Sequence, residues 1–216
     1  TCALPILFRY TNSFKEARFL RAYFYFNLVR AYGDVPYFTE MVTTDQVNSL
    51  TRTPAQEIFN AIIAECDKLS TELPADYTKL GLDGIAPAEN GRVTCYAALA
   101  LKARAALYAA SPLFNPENNK DLWRRAAEAN KEVIETCTAN GFKLSKYSEL
   151  WGPNNWSNNE MIFVRRYNGN ISTLEEYNFP MGVPGGNSGN CPTQNMVDAY
   201  EMKATGKMWN ETGSGY

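Results

Sequence analysis

From Phe14 to Ala139 apolar residues recur every three to four positions, the period of a helix rather than of a strand. Four segments carry it. The first follows Ser13 and Glu16, which have the spacing of a capping box, and holds Phe19, Leu20, Tyr23, Phe24, Phe26, Leu28 and Ala31. These positions cover most of a helical circumference and leave Arg18, Arg21, Asn27 and Arg30 as polar points, so the helix is expected to be buried on more than one side. Gly33 supplies a left-handed turn at its end, and Pro36 blocks continuation. Thr53, Pro54 and Gln56 read as the cap, first residue and capping box of a second helix with Ile58, Phe59, Ile62, Ile63, Cys66 and Leu69 on its apolar face. A third follows Thr94 and is so rich in alanine that a neighbouring helix can approach closely. A fourth carries Trp123, Ala126, Ala127, Ala129, Val133, Ile134 and Cys137 before the stop signal Asn140-Gly141. Trp123 is expected in the core. The spacing thus predicts helices over about 14–32, 54–73, 94–110 and 121–139, packed as antiparallel neighbours with the alanine-rich one in the centre.

After the fourth helix the pattern changes. Met161 to Arg165 reads as a short strand or extended segment, Gly182 to Thr193 as a loop, and a short helix with Met196, Val197 and Tyr200 on one face is expected to begin near Thr193. The expected organisation is a helical region over residues 1–150 and a loop-rich region over 151–216 that opens an incomplete second part. The sequence starts abruptly at Thr1 and stops at Tyr216, which reads as a piece of a longer protein. No strict 34-residue period repeats.

Charge removes some functions from consideration. With 21 basic and 23 acidic residues the formal net charge is -2, which gives no long-range attraction to phosphate backbones, so nucleic acid is not an expected partner. The absence of histidine removes Ser-His-Asp and Cys-His catalysis and the commonest zinc ligand together. The cysteines Cys2, Cys66, Cys95, Cys137 and Cys191 form no CxxC pair, and three sit in apolar helical patterns where a small buried thiol is the ordinary reading. No metal or other cofactor is expected. A glycosidase needs two carboxylates about 5 to 9 Å apart, and nothing selects Glu16 with Glu40 or Glu57 with Glu65 for that purpose.

Five segments stand out in order: Glu16 to Tyr23 running into Leu28 to Pro36; Arg52-Thr53-Pro54 into a helix closing at Leu73-Pro74; Gly91 to Thr94 followed by Ala98 to Ala110 and Ser111 to Asn115; Asn159 to Phe163; and Pro192 to Met202. Together, in this order, they resemble the SusD-like (RagB/SusD) family. The resemblance implies a mainly α fold of tetratricopeptide-like antiparallel helix pairs. It also implies a lipid-anchored place on the outer face of the outer membrane, a SusC-like TonB-dependent transporter as partner, and binding of an oligosaccharide or other nutrient without cleavage. The anchor would lie outside this chain, since Cys2 has no lipobox before it. The alternative is a helical-repeat scaffold that binds a protein and no small ligand.

The resemblance does not assign the ligand residues, so these follow from composition. A sugar-binding surface needs flat aromatic faces beside amides on exposed loops. The stretch Trp151 to Asn159 has that composition and makes Trp151, Asn154, Asn155, Trp156 and Asn158 candidates, with Tyr177 and Trp209 as outlying ones. Anchoring of the loop to the core by a tryptophan is the competing reading. Arg18, Arg21, Arg30 and Asp34 are expected to serve helix ends and loop carbonyls instead.

Overall fold

The computed structural model describes residues 3–77, 91–151, 158–165 and 173–215. Two compact units make up the chain, Thr1–Arg165 and Arg166–Tyr216. In the first, α1 (Ala3–Tyr32), the single turn α2 (Thr44–Val47), α3 (Ala55–Glu72), α4 (Cys95–Ala110) and α5 (Lys120–Ala139) are followed by a 3-10 turn at Tyr147–Trp151. In the second, α6 (Thr173–Asn178) and α7 (Gln194–Asp198) are short. Among the described residues there is no strand, only isolated bridges at Val35 with Thr53 and Glu201 with Met208. Met161 to Arg165 is not a strand; the backbone bends at Ile162 and Phe163.

Each long helix packs antiparallel on the next, α1 on α3, α3 on α4 and α4 on α5, and α4 also touches α1. The alanine-rich helix is therefore central, as its side chains require. Ala97, Ala98, Ala103, Ala105, Ala106, Ala109 and Ala110 are all buried and cover most of the circumference of α4, leaving Arg104 and Leu107 exposed on one side. Only a surface without protruding side chains can meet three helices at once. The aromatic rings supply the bulk that alanine lacks. Phe26 of α1 stands edge-on to Tyr108 of α4 at 5.2 Å and tilted against Phe59 of α3 at 6.5 Å, and Phe59 meets Phe114, beyond α4, at 5.0 Å.

The first helix departs from expectation at both its start and its outer face. It begins at Ala3, ten residues before the Ser13 signal. Pro5 falls in the first turn, where a missing amide costs no hydrogen bond, so the helix runs through it. Glu16 is not spent on a cap. Its carboxylate takes two bonds at 2.8 Å from Arg92 and one at 3.1 Å from the Tyr77 hydroxyl, tying α1 to the approach to α4. The stripe Phe19, Ala22, Phe26 and Val29 is buried, but Phe14, Leu20, Phe24, Leu28 and Tyr32 are exposed. Among the described residues α1 is thus covered on one side, not on several. Periodicity reports which faces are apolar and is silent on whether a neighbour exists for each.

Two capping assignments also change. Gln56 makes no capping box; its amide donates to the Ala109 carbonyl at 2.7 Å and to that of Phe114 at 2.8 Å, serving the C-terminal end of α4, whose last carbonyls have no partner within the helix. The first amide of α3, Ala55 N–H, is met from outside the helix by Asp34 Oδ1 at 2.8 Å. Gly33, with φ of 70°, turns the chain so that its amide reaches Val29 and Asp34 arrives there. This carboxylate sits at the positive end of the helix dipole. Asp34→Ala is expected to lower stability by about 1 kcal/mol and Asp34→Asn by less, measured by urea unfolding followed by circular dichroism. Thr94 occupies the cap position of α4, yet its hydroxyl is buried and has no partner among the described residues.

The arginines serve the frame. Arg18 meets Glu65 and Glu72, each at 2.6 Å, and Glu65 followed by Glu72 holds the guanidinium charged well into alkaline solution against the cost of burial. Arg21 donates to the Thr39 carbonyl at 3.0 Å. Trp123 is not a core residue. It is 38% exposed on α5, and its indole N–H reaches Asn118 Oδ1 at 3.1 Å, a partner available only at the surface.

Candidate binding site

After α5 the chain doubles back, and the return is built to hold one loop in place. Phe142 donates its amide to Cys137 and packs edge-on against Tyr96 at 4.8 Å, closing the end of α5. The loop that follows is clamped where its two ends meet. Ser145 N–H donates to Glu160 Oε2 at 2.9 Å, and Ser145 Oγ and Glu160 N–H both donate to Asn158 Oδ1, at 2.6 and 2.9 Å. Beyond the clamp the exit segment is anchored in the core, where Ile162 packs on the helices and Phe163 stands edge-on to Phe19 at 5.4 Å. A surface loop with its ends joined in this way holds its side chains out without help from a sheet.

Two aromatic rings project from it. Trp151 is 71% exposed and Tyr147 75%, with ring centroids 5.8 Å apart and planes at 64°. The 3-10 turn places them four residues apart, and a hydrogen bond from Glu149 N–H to the Lys146 carbonyl begins that turn. Indole and phenol faces at a wide angle form a corner that presents apolar surface to solvent, the kind of surface on which the C–H face of a pyranose stacks.

The predicted residues fall into three groups. Trp151 lies in this corner, and Asn158 forms the clamp beneath it. Asn154, Asn155 and Trp156 lie outside the described residues. Tyr177 and Trp209 belong to the second unit. There the backbone at Gly189 lies so close to the Tyr177 ring that an added Cβ would fall 2.2 Å from it, while Trp209 accepts a hydrogen bond at its carbonyl from Ser214 Oγ at 3.1 Å. Tyr147 was not expected as a site residue. The signal for it is its place four residues before Trp151, near enough along one short turn for the two rings to meet.

A cleft of about 280 Å³ also lies across α3, α4 and α5, with Lys102 and Arg125 of its lining already engaged. Lys102 Nζ is held between Asp67 Oδ1 at 2.5 Å and Glu132 Oε2 at 2.7 Å, and Arg125 donates to Asn60 at 2.7 Å. Burial alone would lower the Lys102 pKa, and the two carboxylates outweigh it and leave the pKa raised. Near it the Cys66 thiol, fully buried, is pushed up to about 12 by burial, which leaves it a protonated packing group at neutral pH. Among the described residues no three cysteine, aspartate or glutamate side chains gather as metal ligands, and no helix is long and apolar enough to cross a membrane.

Comparison with known proteins agrees with this architecture. Residues 9–107 match the family model described as SusD-like, starch-binding associating with outer membrane. A SusD-like protein of Formosa agariphila, P25, is 25% identical over 149 residues, which are 68% of this chain and 24% of that protein. The chain therefore spans about a quarter of that relative's length. Two solved structures from Bacteroides fragilis superpose on it. A SusD-like carbohydrate-binding protein does so with a TM-score of 0.69 and 27% identity, covering 92% of this chain and 35% of that one. A second SusD-like protein gives 0.66 and 28%, covering 90% and 36%.

Proposed function

We propose that this chain, SusD-like in sequence and in fold, is part of a protein that captures glycan at the cell surface and delivers it to a TonB-dependent, SusC-like transporter in the outer membrane. The observation that carries the glycan reading is the corner of Tyr147 and Trp151, two exposed aromatic faces on a loop clamped to the core. Exposed rings held in one orientation lose little conformational freedom on binding, which favours a shallow sugar site. The family description of starch binding associating with the outer membrane supports both the ligand class and the location; attachment would be through a lipid anchor outside this chain. Binding without cleavage is supported by the fate of the carboxylates. Glu16 is held by Arg92 and Glu65 by Arg18, so both carboxylates already serve the frame.

Titration with a soluble α-1,4-glucan oligosaccharide, read by tryptophan fluorescence and calorimetry, tests the reading. Trp151→Ala is expected to weaken binding by about five- to tenfold, the loss of one aromatic face contact, with helicity unchanged. Equal affinity in the two proteins would remove Trp151 from the site. The open face of α1, with Leu20, Phe24 and Leu28, favours a second reading in which the helices dock a protein partner. Substituting these three by serine separates the two, since it leaves glycan titration intact and disrupts only protein docking.

A further inference from the structure

We propose that Cys95 and Cys137 are a disulfide-forming pair that joins the first turn of α4 to the last turn of α5 when the protein meets an oxidising environment. The two helices run antiparallel, and their register is given by two contacts. Asn130 Nδ2 donates to the Ala103 carbonyl at 3.4 Å, and Lys102 Nζ meets Glu132 at 2.7 Å. Cys95 precedes Ala103 by eight residues and Cys137 follows Asn130 by seven, so at about 1.5 Å per residue the two cysteines stand within roughly one residue of level. Both lie on faces that reach the partner helix. Seven residues are nearly two full turns, so Cys95 shares a face with Lys102, which reaches Glu132 of α5 as well as Asp67 of α3, and Cys137 shares a face with Asn130, which reaches α4. The alanine surface of α4 lets the axes come close enough for a bridge.

The surroundings agree. Tyr96, next to Cys95, carries the ring of Phe142, whose amide is bonded to the Cys137 carbonyl. Cys137 is buried and Cys95 half-buried, both as thiols. Burial pushes both thiols up, and proximity to Cys95 raises Cys137 further, so the pair reacts slowly at neutral pH and faster in mild alkali. Cys66, by contrast, lies fully buried on α3, and Cys191 is exposed in the other unit.

The chemistry closes with a low-molecular-weight disulfide as oxidant. The Cys95 thiolate attacks oxidised glutathione, forming a mixed disulfide and releasing one glutathione thiolate. The Cys137 thiolate then attacks the Cys95 sulfur, forming the protein disulfide and expelling the second. The two thiol protons end on the two molecules of reduced glutathione, and the pair of electrons lost by the cysteines reduces the oxidant. A surface location would supply such conditions in the cell; the reaction itself is tested on the chain and is independent of any glycan binding.

The chain is incubated with oxidised glutathione at mildly alkaline pH, quenched in acid, alkylated in denaturant and digested with trypsin without reduction. The expected product is the peptide Val93–Lys102 linked to Glu132–Lys143, with loss of the alkylated forms of both, while Cys66 remains alkylatable. In Cys137→Ser the reaction is expected to stop at a glutathione adduct on Cys95. Recovery of both peptides as unlinked alkylated or glutathione-bearing forms, with Cys191 modified to show that the oxidant acted, would overturn the pairing. So would linkage of Cys95 to a different cysteine.

Discussion

Phe59→Ala is expected to cost the helical unit about 3–5 kcal/mol of stability, the range for removing a fully buried phenylalanine from a core that cannot collapse around the gap. Phe59 has no exposed surface, and its ring is the middle link of the series Tyr108, Phe26, Phe59 and Phe114. That series joins α4, α1, α3 and the turn after α4, so the cavity would open where three helices meet, and none of them can close it without leaving the other two. Urea unfolding followed by circular dichroism measures the loss, with Phe14→Ala as control. Phe14 is a phenylalanine of α1 exposed to solvent, and its removal should change stability by no more than about 0.5 kcal/mol. Comparable losses for the two variants would show that the aromatic series is not the centre of the core.

The opposite change, adding volume, is expected to be nearly as harmful in the central helix. Ala105→Leu inserts three carbons where Ala105 has no exposed surface, and should cost about 1–3 kcal/mol or more through displaced side chains and a widened helix spacing. The same substitution at Ala127, on the outer side of α5, meets solvent and is expected to be neutral or slightly stabilising, since leucine is nearly as good a helix former as alanine. Thermal unfolding of the two variants side by side separates overpacking from helix propensity. A neutral Ala105→Leu would mean that α4 does not make the close approach its composition permits.

Both expectations start from features legible in the sequence. The alanine content of the third predicted helix announced a surface that neighbours could approach closely, and α4 lies between α3 and α5 with a further contact to α1. The stop signals were equally legible. Gly33 and Gly141 both adopt positive φ beyond the ends of α1 and α5, because only glycine takes that turn without strain. Capping residues were less reliable guides. Ser13 and Glu16 have the spacing of a helix start but lie within α1, and Gln56 serves the end of another helix. A hydroxyl or carboxamide can satisfy any nearby orphan group, and the chain order does not say which one will be near.

The candidate site divides along the same line. Composition singled out the loop after α5 and placed Trp151 in it, because an indole among asparagines between turn signals has no periodic apolar face to join. It did not single out Tyr147. The pairing of Tyr147 with Trp151 depends on a 3-10 turn held by the Ser145, Asn158 and Glu160 clamp, and Asn158 appears as part of that clamp. The helical period, the alanine surface and the glycine stops follow from the sequence by itself, since each depends on neighbours a few residues away along the chain. Which apolar face of α1 is covered, which helix end Gln56 and Asp34 serve, and which ring stands beside Trp151 were decided only by the tertiary structure. Each of these depends on a group brought close in space by packing, and a pattern along the chain carries no record of that distance.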